Sequence, residues 1–120
     1  MENKVTGFNH LINATRYSLQ GLSRAWREEQ AFRHEGIVLG ILLLVLLVTE
    51  KSPAMMLLTL GAWLFVMAIE LLNSAVENAF NLISREASDR IKAGKDMASA
   101  AIFLAIVANA GLWIVVFILC

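Results

Sequence analysis

The sequence has 120 residues, of which 58% are hydrophobic, and its mean hydropathy of +0.67 is too high for an ordinary soluble domain of this length. Ten basic and ten acidic residues cancel, so net charge says nothing about partners, and no basic run with interleaved aromatic residues indicates nucleic-acid binding. The single cysteine, Cys120, excludes an intrachain disulfide and a cysteine-rich metal site. Because the apolar residues form long blocks that a small core cannot absorb, the sequence indicates an all-α integral membrane protein. The polar N-terminus lacks the apolar core of a signal peptide, and we expect none.

Residues 7–28 predict an amphipathic helix that lies flat at the lipid interface. Their apolar side chains recur at steps of three, four and seven, which places them on one helical stripe. The stripe consists of Phe8, Leu11, Ile12, Thr15, Leu19, Leu22 and Trp26. Arginine residues lie off this stripe or at its edges. The alternative is a soluble helix that packs against a partner.

Three apolar blocks predict transmembrane helices. They cover about residues 31–48, 54–83 and 95–120. Pro53 suits the first turn of the second helix, and a polar connection at residues 84–96 precedes the third. With no internal repeat or low-complexity linker, residues 1–120 are predicted to form a single membrane-embedded domain.

Lysine and arginine residues give the predicted orientation. They are concentrated in the N-terminal arm and in residues 84–96, whereas only Lys51 lies in the other loop. Because cytoplasmic loops carry the excess of positive residues, the N-terminus and residues 84–96 are expected in the cytoplasm and Cys120 outside.

Glu70, Asn73 and Glu77 share one face of the second predicted span, since they lie at i, i+3 and i+7. At a rise of about 1.5 Å per residue from an outer boundary at Ala54, Glu70 lies about 24 Å deep and Glu77 about 35 Å along. With a hydrocarbon thickness of about 30 Å, Glu70 is near the cytoplasmic side of the core and Glu77 is at headgroup level.

The ends of the other helices bring further polar residues to this height. The expected layer contains Glu29, Glu35, Glu70, Asn73, Glu77, Lys95 and Asp96. Two carboxylates and an amide make a plausible oxygen site for Mg²⁺ shared with phosphates, Lys95 can bind a phosphate, and Glu70 can act as a general base for a lipid hydroxyl. Alternatively, charged residues at helix ends only mark the interface. No phosphate-binding glycine loop is present, so these residues alone do not indicate ATP.

Several stretches resemble the bacterial integral-membrane diacylglycerol kinase family. The longer ones are Ala31-Phe32-Arg33-His34-Glu35-Gly36, Glu70-Leu71-Leu72-Asn73-Ser74-Ala75-Val76-Glu77 and Lys95-Asp96-Met97-Ala98-Ser99-Ala100, with Thr6-Gly7-Phe8, Tyr17-Ser18 and Ala25-Trp26 in addition. The resemblance extends over essentially the whole chain. It implies a homotrimeric bundle at the bacterial inner membrane, with active sites shared between subunits, that transfers the ATP γ-phosphate to diacylglycerol and yields phosphatidic acid.

The resemblance also implies roles for individual residues. Glu70 would be the catalytic base, Glu29 and Glu77 would hold Mg²⁺ for the nucleotide, and Asn73 would support the site. The residues that would contact ATP are His10, Tyr17, Glu29, Glu77, Glu86, Ala87, Ser88, Lys95 and Asp96. Those that would contact the lipid are Ser18, Trp26, Arg33, Glu35, Glu70 and Ser99.

The sequence departs from the family pattern at several of these positions. His10 stands where we expect an arginine and Asn13 where a lysine is common, which weakens phosphate contact from the surface helix. The stretch 86–88 matches the family only at Glu86.

Three alternatives remain open from sequence. An undecaprenol kinase would share this scaffold. A small proton-coupled transporter would use Glu70, although a coupling acid is expected nearer the bilayer midplane. A non-catalytic assembly subunit would show no ATP turnover.

Overall fold

A computed structural model describes residues 7–83 and 88–120, which form helices and no strand. Helix α1 spans Gly7–Glu28, α2 Gln30–Val48, α3 Pro53–Ile83 and α4 Asp89–Ile114, and α4 continues into a π-helical turn at Val115–Leu119. Three stretches are long and apolar enough to cross a membrane. They are Gln30–Val48, Pro53–Ile83 and Asp89–Leu119. The predicted all-α membrane fold, with an amphipathic helix before three apolar helices, is confirmed.

Local sequence signals set most helix ends. Helix α2 ends in a Schellman motif, in which the Lys51 N–H bonds to the Leu46 carbonyl at 3.1 Å and Glu50 adopts a left-handed φ of 55°. Helix α4 begins at Ser88, whose Oγ accepts a hydrogen bond of 3.2 Å from the Ile91 N–H. Because of this cap, the second half of the predicted polar connection at 84–96 is helical.

Helix α3 lies between α2 and α4, and α1 packs against the start of α2. A small core joins α1, α2 and α3, and it is formed by Ala25, Phe32, Leu42, Trp63, Val66 and Met67. Many large apolar side chains of α3 and α4 remain exposed, including Leu57, Phe65 and Phe103. This exposure suits helices that contact lipid or other membrane helices.

Candidate functional site

The acidic face of α3 runs from a buried to an exposed carboxylate. Glu70 is buried with 7% of its surface exposed, Asn73 is half-buried, and Glu77 is exposed. The Oδ1 atom of Asn73 is buried and has no hydrogen-bond partner among the described residues. The face therefore offers a sheltered carboxylate, an available amide oxygen and a carboxylate that aqueous ligands can reach.

Glu35 of α2 lies against Glu70. It is also buried, with 8% exposed, and the two carboxyl groups are close enough to interact electrostatically. Carboxylates in contact and away from water are costly, and such pairs concentrate at functional sites. Sequence reasoning assigned Glu35 to the lipid by resemblance and did not predict this contact, because the rotation of α2 about its axis decides it.

Trp63 lies two helical turns before Glu70 on the same face of α3. The Nε1–H of Trp63 donates a hydrogen bond of 2.8 Å to the backbone carbonyl of Glu35. The Trp63 ring also contacts Trp113 of α4, with ring centroids 5.3 Å apart. Trp63 thus connects α2, α3 and α4 at one level.

A cavity of about 530 Å³ lies between α1 and the C-terminal half of α3. Its lining comprises Ser18, Gly21, Leu22, Arg24, Ala25, Glu28, Glu29, Leu71, Ser74, Ala75 and Asn78. Both Ser18, a predicted lipid contact, and Glu29, a predicted metal ligand, line this cavity. The wall is apolar toward Leu22 and Leu71 and carries carboxylates at Glu28 and Glu29, so the cavity suits an amphipathic ligand.

Glu29 occupies the single-residue break between α1 and α2. Its backbone is extended (φ −109°, ψ 109°), yet the Arg33 N–H still bonds to its carbonyl at 3.2 Å. No proline or glycine marks this break, and the extended backbone of Glu29 alone separates the two helices.

Trp26 and Arg33, which are two of the predicted lipid contacts, hold the junction of α1 and α2 together. Nη1 of Arg33 donates to the carbonyls of Trp26 at 2.9 Å and Arg27 at 3.1 Å, which caps the end of α1. The Trp26 ring lies edge-on to Phe32, at 6.5 Å, and lies directly over Gly36. The junction fixes the angle at which α1 leaves the first span.

The first two turns of α4 carry two predicted nucleotide contacts, Lys95 and Asp96. Each side chain has a polar partner within the chain. Nζ of Lys95 donates a hydrogen bond of 2.7 Å to Oδ1 of Asn81, and Nζ of Lys92 pairs with Asp96 at 2.8 Å. Asn81 lies one turn after Glu77 on α3. Sequence reasoning missed Asn81, although its i+4 spacing from Glu77 was a usable signal.

Other predicted site residues do not line the α1–α3 cavity or lie outside the described residues. His10 and Tyr17 are exposed on α1, and Ser99 is exposed on α4. None of the three contributes to the described lining of the α1–α3 cavity. Ser88 caps α4. Glu86 and Ala87 lie outside the described residues.

The oxygen donors fit a hard divalent cation that substrate phosphates help to hold. Among the described residues no three histidine, cysteine, aspartate or glutamate side chains gather into a metal cluster. Mg²⁺, however, commonly uses only one or two carboxylates together with phosphates and water. Glu29 and Glu77 would supply such carboxylates, and the Oδ1 of Asn73, which has no hydrogen-bond partner among the described residues, would add a neutral oxygen.

Comparison with known proteins identifies similar sequences along most of the chain. Residues 16–117 match the model of a family described as prokaryotic diacylglycerol kinase. The chain is 43% identical to a diacylglycerol kinase of Haemophilus influenzae over 103 residues, which cover 86% of this chain and 87% of that protein. It is 34% identical to a diacylglycerol kinase of Escherichia coli strain K12 over 113 residues, which cover 94% and 93%. A diacylglycerol kinase of Helicobacter pylori is 38% identical over 112 residues, which cover 92% and 86%.

Proposed function

Because this chain belongs to the prokaryotic diacylglycerol kinase family and is therefore an ATP-dependent membrane lipid kinase that acts on diacylglycerol, we propose a specific site for its reaction. The reaction takes place where the acidic face of α3 meets the cytoplasmic boundary of the bilayer. The observation that carries this proposal is Glu70, a carboxylate buried against Glu35 within an otherwise apolar helix. The product is phosphatidic acid.

Glu70 acts as the general base. Its carboxylate takes the proton of the diacylglycerol hydroxyl as that oxygen attacks the γ-phosphorus. The new oxygen–phosphorus bond forms while the bond to the β-phosphate oxygen breaks, and ADP leaves with the electron pair. A base in this position contributes about 10²- to 10⁴-fold to the rate, and the remaining acceleration comes from positioning and charge neutralisation.

Glu29 and Glu77 would hold Mg²⁺ together with the nucleotide phosphates, and Asn73 would support them. When bound, the cation would neutralise charge that develops on the phosphates. Glu77 is suited to this position because it is exposed, whereas Glu70, about two helical turns or 10 Å deeper, reaches the glycerol level of the lipid. The two carboxylates thereby serve the aqueous and the lipid substrate from one helix face.

The nucleotide lies at the start of α4. Lys95 and Asp96 contact it, and the proposed set also includes His10, Tyr17, Glu86, Ala87 and Ser88. The support for Lys95 is its hydrogen bond to Asn81, which holds the ammonium group close to the Glu77 face. Lys95 acts as a point charge for phosphate.

Diacylglycerol enters from the membrane along α1 and the first span. Ser18, Trp26, Arg33, Glu35 and Ser99 are the proposed contacts. The apolar part of the α1–α3 cavity suits the glycerol and upper acyl region, and the cavity ends at Glu28 and Glu29. This arrangement brings the lipid hydroxyl to the cytoplasmic boundary.

The functional unit is a homotrimer whose active sites take residues from neighbouring subunits. Two features of one chain favour this assembly. Only 11% of the residues in an apolar 18-residue stretch of Asp89–Leu119 are buried within the chain, and His10, Tyr17 and Ser99 do not line the α1–α3 cavity. A neighbouring copy can supply residues that do not line the cavity of the same chain.

The protein resides in the bacterial inner membrane, with the N-terminus in the cytoplasm and Cys120 outside. The distribution of lysine and arginine supports this orientation. With it, the α3–α4 connection, Glu77 and Lys95 all face cytoplasmic ATP.

The test is transfer of label from γ-labelled ATP to lipid by the purified protein in mixed micelles. Diacylglycerol and undecaprenol are supplied in parallel, each with Mg²⁺ and with excess EDTA. We expect labelled phosphatidic acid that disappears with EDTA. Preferential labelling of undecaprenol would favour the alternative kinase. Proton flux in vesicles without lipid phosphorylation would favour the transporter.

A further inference from the structure

Trp63 and Trp113 are packed against each other, but their indole N–H groups differ. The Trp63 N–H donates to the Glu35 carbonyl at 2.8 Å. The Trp113 N–H is buried without a hydrogen-bond partner among the described residues. One ring therefore forms a directed bond to α2, whereas the other contributes packing alone.

The Trp63 bond reaches a backbone atom inside a neighbouring helix. Trp63 is 5% exposed, so neither water nor lipid competes for its N–H. In a membrane interior, where apolar burial gives helices little preference for one another over lipid, such interhelical hydrogen bonds help to fix register. This bond fixes the height of α2 against α3 at Glu35.

Glu35 is held by two residues of α3 that share one helical face. Trp63 and Glu70 are seven residues apart, about 10 Å along the helix. Trp63 binds the backbone of Glu35, and Glu70 lies beside its carboxyl group. If α2 slid or rotated, the contact between the carboxyl groups of Glu35 and Glu70 would break. The hydrogen bond from Trp63 to the Glu35 carbonyl opposes this movement.

We propose that Trp63 is a positioning residue for the phosphoryl-transfer step: it holds α2 so that the Glu35 carboxyl group orients Glu70 toward the lipid hydroxyl. This inference rests on the proposed role of Glu70 as the base. Trp63 itself touches neither substrate. Its loss should therefore slow the chemical step and leave nucleotide binding unchanged, because the proposed ATP contacts lie at the start of α4.

The test compares Trp63→Phe with Trp113→Phe in the full-length protein. Each variant keeps an aromatic ring and loses one N–H. For Trp63→Phe we expect kcat to fall about tenfold, because even a small misplacement of the reacting groups slows the chemical step, with the KM for ATP unchanged. For Trp113→Phe we expect wild-type kcat. Thermal unfolding of both variants shows whether the proteins remain folded.

A second replacement separates the N–H from the shape of the ring. Trp63 exchanged for 3-benzothienylalanine keeps the indole shape and puts sulfur in place of the N–H. We expect the same loss of kcat, and this variant decides the matter if Trp63→Phe does not fold. Wild-type kcat in the isostere, equal losses in the two phenylalanine variants, or an effect confined to the KM for ATP would overturn the inference.

Glu70→Gln is measured in parallel to separate the two hypotheses. If Glu70→Gln retains turnover, the proposed base is wrong and the role of Trp63 falls with it. If Glu70→Gln is inactive while the Trp63 isostere behaves like the wild type, only the positioning role is wrong.

Discussion

Nζ of Lys95 on α4 lies 2.7 Å from Oδ1 of Asn81 on α3, and this hydrogen bond joins the C-terminal end of α3 to the N-terminal part of α4. Asn81 follows Glu77 by one helical turn, so the bond brings a cation to the end of the acidic face. The ammonium group keeps two further donors for phosphate oxygens. A single interhelical contact thus links the proposed metal ligand to the proposed nucleotide contact.

Replacing Lys95 should weaken nucleotide binding. For Lys95→Met we expect the KM for ATP to rise at least about tenfold, since a charge-assisted phosphate contact contributes roughly 1.5–3 kcal/mol. The control is Arg90→Met, which removes an exposed positive charge from the first turn of the same helix. Steady-state kinetics at saturating diacylglycerol measures both. Equal KM values for the two variants would remove Lys95 from the nucleotide site.

Glu77→Gln should alter the dependence on Mg²⁺. An amide keeps the shape of the side chain but loses the charge that favours a hard cation. We expect the Mg²⁺ concentration for half-maximal rate to rise at least about tenfold, which corresponds to 1.4 kcal/mol. Titration of Mg²⁺ at fixed ATP measures it. A wild-type titration curve would show that Glu77 is not a metal ligand.

The packing of Trp26 on Gly36 can be tested through stability. A Cβ atom at position 36 would lie 2.6 Å from Cζ3 of Trp26, whereas nothing lies within 4 Å of one at Gly40. We expect Gly36→Ala to destabilise the protein by about 1–3 kcal/mol, as overpacking does, and Gly40→Ala to be close to neutral. Reversible unfolding in SDS or denaturant measures both variants.

A double-mutant cycle identifies the cause of that loss. In a Trp26→Leu background, the change at Gly36 should cost little, because the clashing ring is gone. An undiminished cost in that background would mean that Gly36 is required for some other contact.

The fold was largely predictable because lipid imposes a simple rule on sequence. Long apolar blocks with polar ends become helices, and Pro53 marks the start of α3 in both prediction and structure. The start of α4 was placed at residue 95 rather than Asp89, because the polarity of this segment obscured the Ser88 cap. Hydropathy does not predict which polar residues within a helix are buried.

The site was predictable only along each helix. The spacing of Glu70, Asn73 and Glu77 follows from helical periodicity within α3. The contacts of Glu70 with Glu35 and of Lys95 with Asn81 join different helices. They depend on the relative height and rotation of those helices, which no single segment specifies.

Shared active sites predict complementation between variants that are impaired at different residues and are assayed at limiting ATP. Glu70→Gln is paired with Lys95→Met, and separately with Glu29→Gln, and each pair is mixed under conditions that exchange subunits. If two ligands of one site come from neighbouring copies, a 1:1 mixture regains about a quarter of wild-type activity, since one site in four then carries both intact residues. No recovery with either pair would favour sites built within a single chain.

The central claim is that Glu70 is the base for phosphoryl transfer to the lipid, and kcat of Glu70→Gln tests it most directly. Glu50→Gln, in the turn between α2 and α3 and exposed, is the matched control. Label transfer from γ-labelled ATP to diacylglycerol should fall at least about 100-fold in Glu70→Gln, with wild-type unfolding behaviour, and should be unchanged in Glu50→Gln. Turnover by Glu70→Gln within a few-fold of the wild type would contradict the assignment.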